Sequence, residues 1–151
     1  MRIIGIDPDL TASGVALVEG NKIIRLERVA VPDLVLWVSK EWAYARGELV
    51  IRMEDPNLIK PTFPRAMPKA KNKQAVMNNI SQKVGQVKAV ATIIMQLLEH
   101  AGHQVKPVRP LQGAMKHLAK RDAKYFNQIT GWDGRSNEDQ RDAALIALFG
   151  G

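Results

Sequence analysis

The sequence predicts an α/β protein built on a mixed five-stranded sheet flanked by helices. Three observations carry that prediction. Short β-branched runs at residues 2–7, 14–19, 22–29, 49–54 and 103–108 are too brief and too rich in Ile and Val to be helices. Residues 74–101 repeat apolar side chains every three or four positions, which is helical spacing. Three strands come first, and later strands alternate with helices, an order that mixes antiparallel and parallel pairing. At 151 residues the chain is expected to form one domain, 1–151, long enough to bury a core.

Each element has a local reason. The run Arg2-Ile3-Ile4-Gly5-Ile6-Asp7 ends at Pro8, which has no N–H to offer a strand ladder. Gly20-Asn21 joins the second and third strands, and both residues tolerate the positive φ of a two-residue hairpin. Asp33 follows Pro32 and is expected to N-cap a helix to about residue 46, stopped by Gly47. Residues 55–73 hold Pro56, Pro61, Pro64 and Pro68 and read as a long loop. The 74–101 helix carries two apolar lines, Ile80-Val84-Val87-Ala91-Ile94-Leu98 and Val90-Ile93-Leu97. One line can pack on the sheet and the other on a partner subunit, or both can be core. Pro110 opens a helix to about residue 119, a second spans 121–130 before Gly131, and Asn137 caps a last one through Phe149. His100 and His103 flank Gly102 at a helix end and read as caps, with His117 in a basic helix.

Charge narrows the function. The net charge is +7 and the isoelectric point about 9.9, a balance for which nucleic acid is the commonest reason. From Pro56 to Leu98 there is no Asp or Glu, whereas Lys60, Arg65, Lys69, Lys71, Lys73, Lys83 and Lys88 fall there. These seven are the candidate phosphate-backbone contacts. With no cysteine, disulfides and thiolate metal sites are excluded. No signal-peptide pattern opens the sequence, and the longest apolar stretch, 89–98, is too short to cross a bilayer. A cytoplasmic protein without membrane contact is expected.

Four acids stand out against that basic background. Asp7 and Glu54 each close an apolar strand just before a proline, and Asp139 and Asp142 sit three apart at the start of the last helix. Taken singly, each has a plain explanation as a turn residue, a loop cap or a partner of the helix dipole. Together they can meet at one rim of the sheet, because strand ends and one helical face converge there. Ala143-Ala144 beside Asp142 are small enough for close packing on the sheet. Clustered carboxylates repel unless a cation neutralises them, and all-oxygen ligands suit Mg²⁺ or Mn²⁺. Whether Asp55 or Glu138 joins them is open from sequence.

At these residues the chain resembles a family. The opening IIGIDPDLTASGVALVEG is similar to the first hairpin of RuvC-type Holliday-junction resolvases, within the ribonuclease H-like superfamily. SQKVGQVKAVATIIMQLLEHAGHQVKPVRPLQGAMKHL resembles that family's long helix, fifth strand and basic segment, and EDQRDAALIAL its closing helix. The resemblance spans nearly the whole chain, and the compact ending is similar to phage members. It implies a homodimer, joined through the 74–101 helix, that nicks opposed strands of a four-way junction. Asp7, Glu54, Asp139 and Asp142 would be its metal-binding acids, holding two Mg²⁺ ions per site with Mn²⁺ as substitute. Lys116 falls near a basic residue used close to the scissile phosphate. Asp9 departs from the family's usual glycine, and Phe63 is the candidate for its junction-wedging aromatic. The rival readings are a flap, fork or RNA–DNA hybrid nuclease of the same fold, and a basic binding module without catalysis.

Overall fold

The computed structural model describes residues 1–59 and 73–151. Lys60, Phe63, Arg65, Lys69 and Lys71 therefore lie outside the described residues. In chain order the elements are β1 (Arg2–Asp7), β2 (Ala12–Glu19), β3 (Lys22–Ala30), α1 (Val31–Tyr44) and β4 (Leu49–Glu54). After a 3₁₀ turn (Pro56–Leu58) come α2 (Lys73–His100), β5 (Val105–Val108), α3 (Ala114–Arg121), α4 (Ala123–Thr130) and α5 (Glu138–Phe149). The strands form one sheet in the order β3-β2-β1-β4-β5. β1, β2 and β3 pair antiparallel, while β4 and β5 run parallel to β1. The mixed five-stranded α/β sheet is as the sequence predicts.

Local chemistry explains most boundaries. Gly20 and Asn21 both adopt positive φ, at 57° and 62°, as the two-residue hairpin requires. α1 begins earlier than expected, with Ala30 as N-cap. Pro32 occupies its first turn, where a missing N–H costs nothing, so Asp33 meets the helix dipole rather than capping. β5 starts only at Val105, because the His103 N–H still donates to the Leu98 carbonyl at the end of α2 (3.0 Å). Nor is His103 a surface cap. Its ring is buried, with Nε2 2.9 Å from Ser39 Oγ and an edge-on contact to Trp42. α3 starts at Ala114 rather than Pro110, since Gly113 at φ 115° cannot lie inside a helix. α5 opens as expected, with Asn137 and Gln140 exchanging bonds in a capping box.

The pleat sends alternate residues to two cores. Ile4, Ile6, Val15, Leu17, Ile51 and Met53 face α1 and α2. Ala16, Val18 and Ile23 face Ala143, Ala144 and Leu145 of α5, Ala119 of α3 and Phe126 of α4. On that second side α5 rides directly on the strand backbones. A Cβ on Gly5 would stand 2.0 Å from the Ala143 carbonyl oxygen, and one on Gly14 2.2 Å from that of Asp139. Residues Arg141 to Ala147 are all buried in consequence.

α2 corrects the expected division of its apolar lines. Ala91, Ile94 and Leu98 of the first line are core, together with Val90 of the second. Ile80, Val84 and Val87 are 45%, 46% and 44% exposed, and Ile93 and Leu97 are exposed as well. The reason is length. The 28 residues of α2 reach about 42 Å, whereas a six-residue strand spans about 20 Å. The face that packs on the sheet at its C-terminal half runs clear of it at the other.

Candidate active site

β1 and β4 are parallel neighbours, so Asp7 and Glu54 close them at the same rim. Asp7 takes the α5 side of the sheet because Ile4 and Ile6 take the other. The close approach at Gly14, which pairs with Asp7, lets α5 bring Asp142 to the same place. One carboxylate oxygen from each of Asp7, Glu54 and Asp142 lies within 4.8 Å of the other two. Asp7 is 9% exposed and Asp142 3%. Asp139 falls outside this group of three, though its charge acts on Asp7.

Such crowding shows in proton affinity. Burial, then a hydrogen bond with Glu54 and the charges of Glu54, Asp142 and Asp139, push the Asp7 carboxyl up to about 10. Burial and the nearby Asp9 raise Asp139, against the pull of Lys120 and Arg28. Among the described residues Lys120 makes the shortest ion pair with the cluster, with Nζ 2.8 Å from Asp142 Oδ2. Burial opposes its charge, but the bond to Asp142 and the charges of Asp142, Asp7 and Glu54 raise its affinity for the proton overall. Lys116 Nζ stands 3.7 Å from Asp142 Oδ1. That oxygen is buried without a hydrogen-bond partner among the described residues.

An all-carboxylate donor set, an orphaned buried oxygen and acids that cannot all ionise together fit a hard divalent cation. Asp55 is occupied elsewhere, accepting from the N–H and side-chain amide of Asn57, each at 2.9 Å. Glu138 is exposed in the first turn of α5. Of the basic stretch, Lys73 and Lys83 are exposed along α2 and Lys88 is half-buried. Asn57 Nδ2 donates to the Lys88 carbonyl at 3.2 Å, tying the turn after Glu54 to that helix.

Two residues were missed from sequence. Lys120 lies four after Lys116 on α3, a spacing that puts both on one face, so a signal existed. Arg141 gave none, because only the folded chain buries it. Its Nε donates to the Lys120 carbonyl (2.8 Å) and its Nη1 to the Ser136 carbonyl (2.7 Å), clamping α3 to the start of α5.

The mixed sheet in the order β3-β2-β1-β4-β5, with its flanking helices, is a fold that solved RuvC structures share. RuvC of Thermus thermophilus in complex with Holliday junction substrate shares it, at a TM-score of 0.55 and 21% identity, over 98% of this chain and 90% of that one. A second Thermus thermophilus RuvC structure aligns at 0.51 and 19% identity, over 98% and 92%. Fowlpox virus resolvase with substrate Holliday junction DNA aligns at 0.49 and 16%, and the fold assignment rests on the two RuvC structures. No protein-family model matches the chain, and no curated protein sequence matches it.

Proposed function

We propose that this protein is a divalent-cation-dependent endonuclease acting on branched DNA, four-way junctions above all, leaving 5′-phosphate and 3′-hydroxyl ends. The observation that carries the reading is the meeting of Asp7, Glu54 and Asp142 within 4.8 Å at the rim of a RuvC-like sheet. Pure binding has no use for carboxylates held beside phosphates. Asp7, at the centre, belongs with Glu54 on one side and with the α5 acids Asp142 and Asp139 on the other. Two Mg²⁺ or Mn²⁺ ions held by these pairs would supply an activated water and stabilise the leaving 3′ oxygen. Asp7 and Asp142, seated on β1 and α5, would hold those ions in place. Lys116 places a positive charge beside the cluster, where charge grows on the phosphate. The basic stretch, Lys60, Arg65, Lys69, Lys71, Lys73, Lys83 and Lys88, tracks the DNA backbone.

The deciding experiment offers purified protein, with Mg²⁺, a four-way junction, a flap, a matched duplex and an RNA–DNA hybrid. Paired symmetric nicks in the junction alone support the reading. Equal cutting of flaps or hybrids would replace it with a different nuclease, and binding without cutting would leave a binding module. For the basic stretch, mutating Lys73, Lys83 and Lys88 to Ala should weaken binding and flatten its salt dependence by about 0.9 in log–log slope per lost contact. An unchanged slope would show that these lysines are only solvated.

Two opposed nicks call for two sites related by a two-fold axis, which an isologous dimer presents. Ile80, Val84 and Val87, with Val76 and Met77, form the exposed apolar face of α2 that a second copy would cover. A charge at Val87, as in V87E, is expected to yield a monomer by sedimentation and to turn paired nicks into slow single ones. A wild type that sediments as a monomer, free and on a junction, would remove the dimer from this proposal.

A further inference from the structure

We infer that Lys120 is the resident counter-cation of the acid cluster, sustaining the fold while no divalent ion is bound and opposing one that arrives. The inference rests on the metal-centre reading above. Asp142 is 3% exposed, and its two oxygens are treated differently. Oδ2 lies 2.8 Å from Lys120 Nζ, while Oδ1 stands 3.7 Å from Lys116 Nζ and is buried with no hydrogen-bond partner among the described residues. A buried carboxylate without a compensating charge is strongly destabilising. Lys120 therefore answers a need that exists before any metal does.

Two further features suit Lys120 to that task better than Lys116. Its backbone is pinned by the Arg141 bond to its carbonyl, so the base of its side chain is fixed relative to α5. Its side chain is 34% exposed against 13% for Lys116, leaving the ammonium room to turn to solvent when another cation takes up the negative charge. An ammonium on a flexible stem is a mobile point charge, unlike a guanidinium fork. Replacing it with an uncharged residue should make the cation-free protein weaker and the site hungrier for metal.

The test compares wild type, K120M and K120R by thermal melting in chelator and in saturating Mn²⁺, and by calorimetric Mn²⁺ titration without DNA. K120M is expected to melt well below wild type in chelator, to recover most of the loss with Mn²⁺, and to bind Mn²⁺ about tenfold more tightly. K120R should keep wild-type values. A K120M protein recovered folded only with Mn²⁺ would be the same result in its extreme form. Equal loss of melting temperature with and without Mn²⁺ would mark an ordinary structural ion pair and overturn the inference, as would an unchanged or weaker Mn²⁺ affinity, or failure to fold in either condition. If wild type itself binds no Mn²⁺, the metal-centre reading fails and takes this inference with it.

Discussion

Replacing Asp7 by Asn is expected to abolish strand cleavage and, in the same protein, to raise thermal stability in the absence of metal. The two effects share one cause. Asp7 is buried beside Glu54 and Asp142, so its carboxyl holds its proton up to about 10, against an ordinary value of 3.8. Between those values the folded chain keeps a proton that the unfolded chain releases. Rising pH therefore weakens the fold across that window, and Asn, which never ionises, escapes the penalty. The melting advantage of D7N in chelator should widen from about pH 5 to about pH 8. Saturating Mn²⁺ should reverse the order, because only wild type gains a ligand-bound state. Cleavage should fall by on the order of 10³ or more, since metal stabilisation contributes several kcal/mol and about 1.4 kcal/mol is tenfold in rate. Junction binding should survive, as no core volume is lost. Asp142→Asn should lose cleavage equally but gain no stability, because it strips Lys120 of its partner. Normal cutting by D7N would show that the rim acids are not the active site. A D7N protein no more stable than wild type in chelator would show that Asp7 carries no burial penalty.

Much of this was legible before folding because it is written in local chemistry. The first hairpin follows from Gly20-Asn21, and the last helix from its Asn137 cap. Asp7 and Glu54 could be placed at one rim because each closes an apolar strand, and parallel pairing of those strands does the rest. What was not legible is tertiary. Periodicity gives the azimuth of Ile80 and Leu98 on α2 but not where the sheet beneath that helix stops. Arg141 reads as an ordinary helical charge until α3 and α5 are laid side by side, and Lys120 offers only its four-residue spacing from Lys116. Asp139 and Asp142 share a helical face, yet only Asp142 joins the group of three, a distinction that spacing cannot make.

Gly14→Ala should be, with Gly5→Ala, one of the two most damaging glycine substitutions among the described residues, although Gly14 lies in no apolar core and touches no substrate. Its Cβ would stand 2.2 Å from the Asp139 carbonyl oxygen, 2.4 Å from its carbon and 2.8 Å from the Gln140 nitrogen. All three are backbone atoms, so no side chain can rotate away, and α5 must lift from the sheet. Lifting it loosens Ala143, Ala144 and Leu145 against β2 and carries Asp139 and Asp142 away from Asp7. Overpacking of this kind costs about 3 kcal/mol, roughly 10 °C in melting temperature for a chain of this size. Misplacing catalytic groups by an ångström costs about a hundredfold in rate. Mn²⁺ affinity should fall in parallel, which separates site distortion from simple loss of folded protein. Gly85→Ala is the matched control, because it sits within α2 with nothing among the described residues inside 4 Å of its added Cβ. Better helix propensity should leave that variant as stable as wild type or up to about 1 kcal/mol more so. If G14A melts with wild type and binds Mn²⁺ as well, α5 does not rest on β2, and the route by which its acids reach Asp7 would have to be drawn differently.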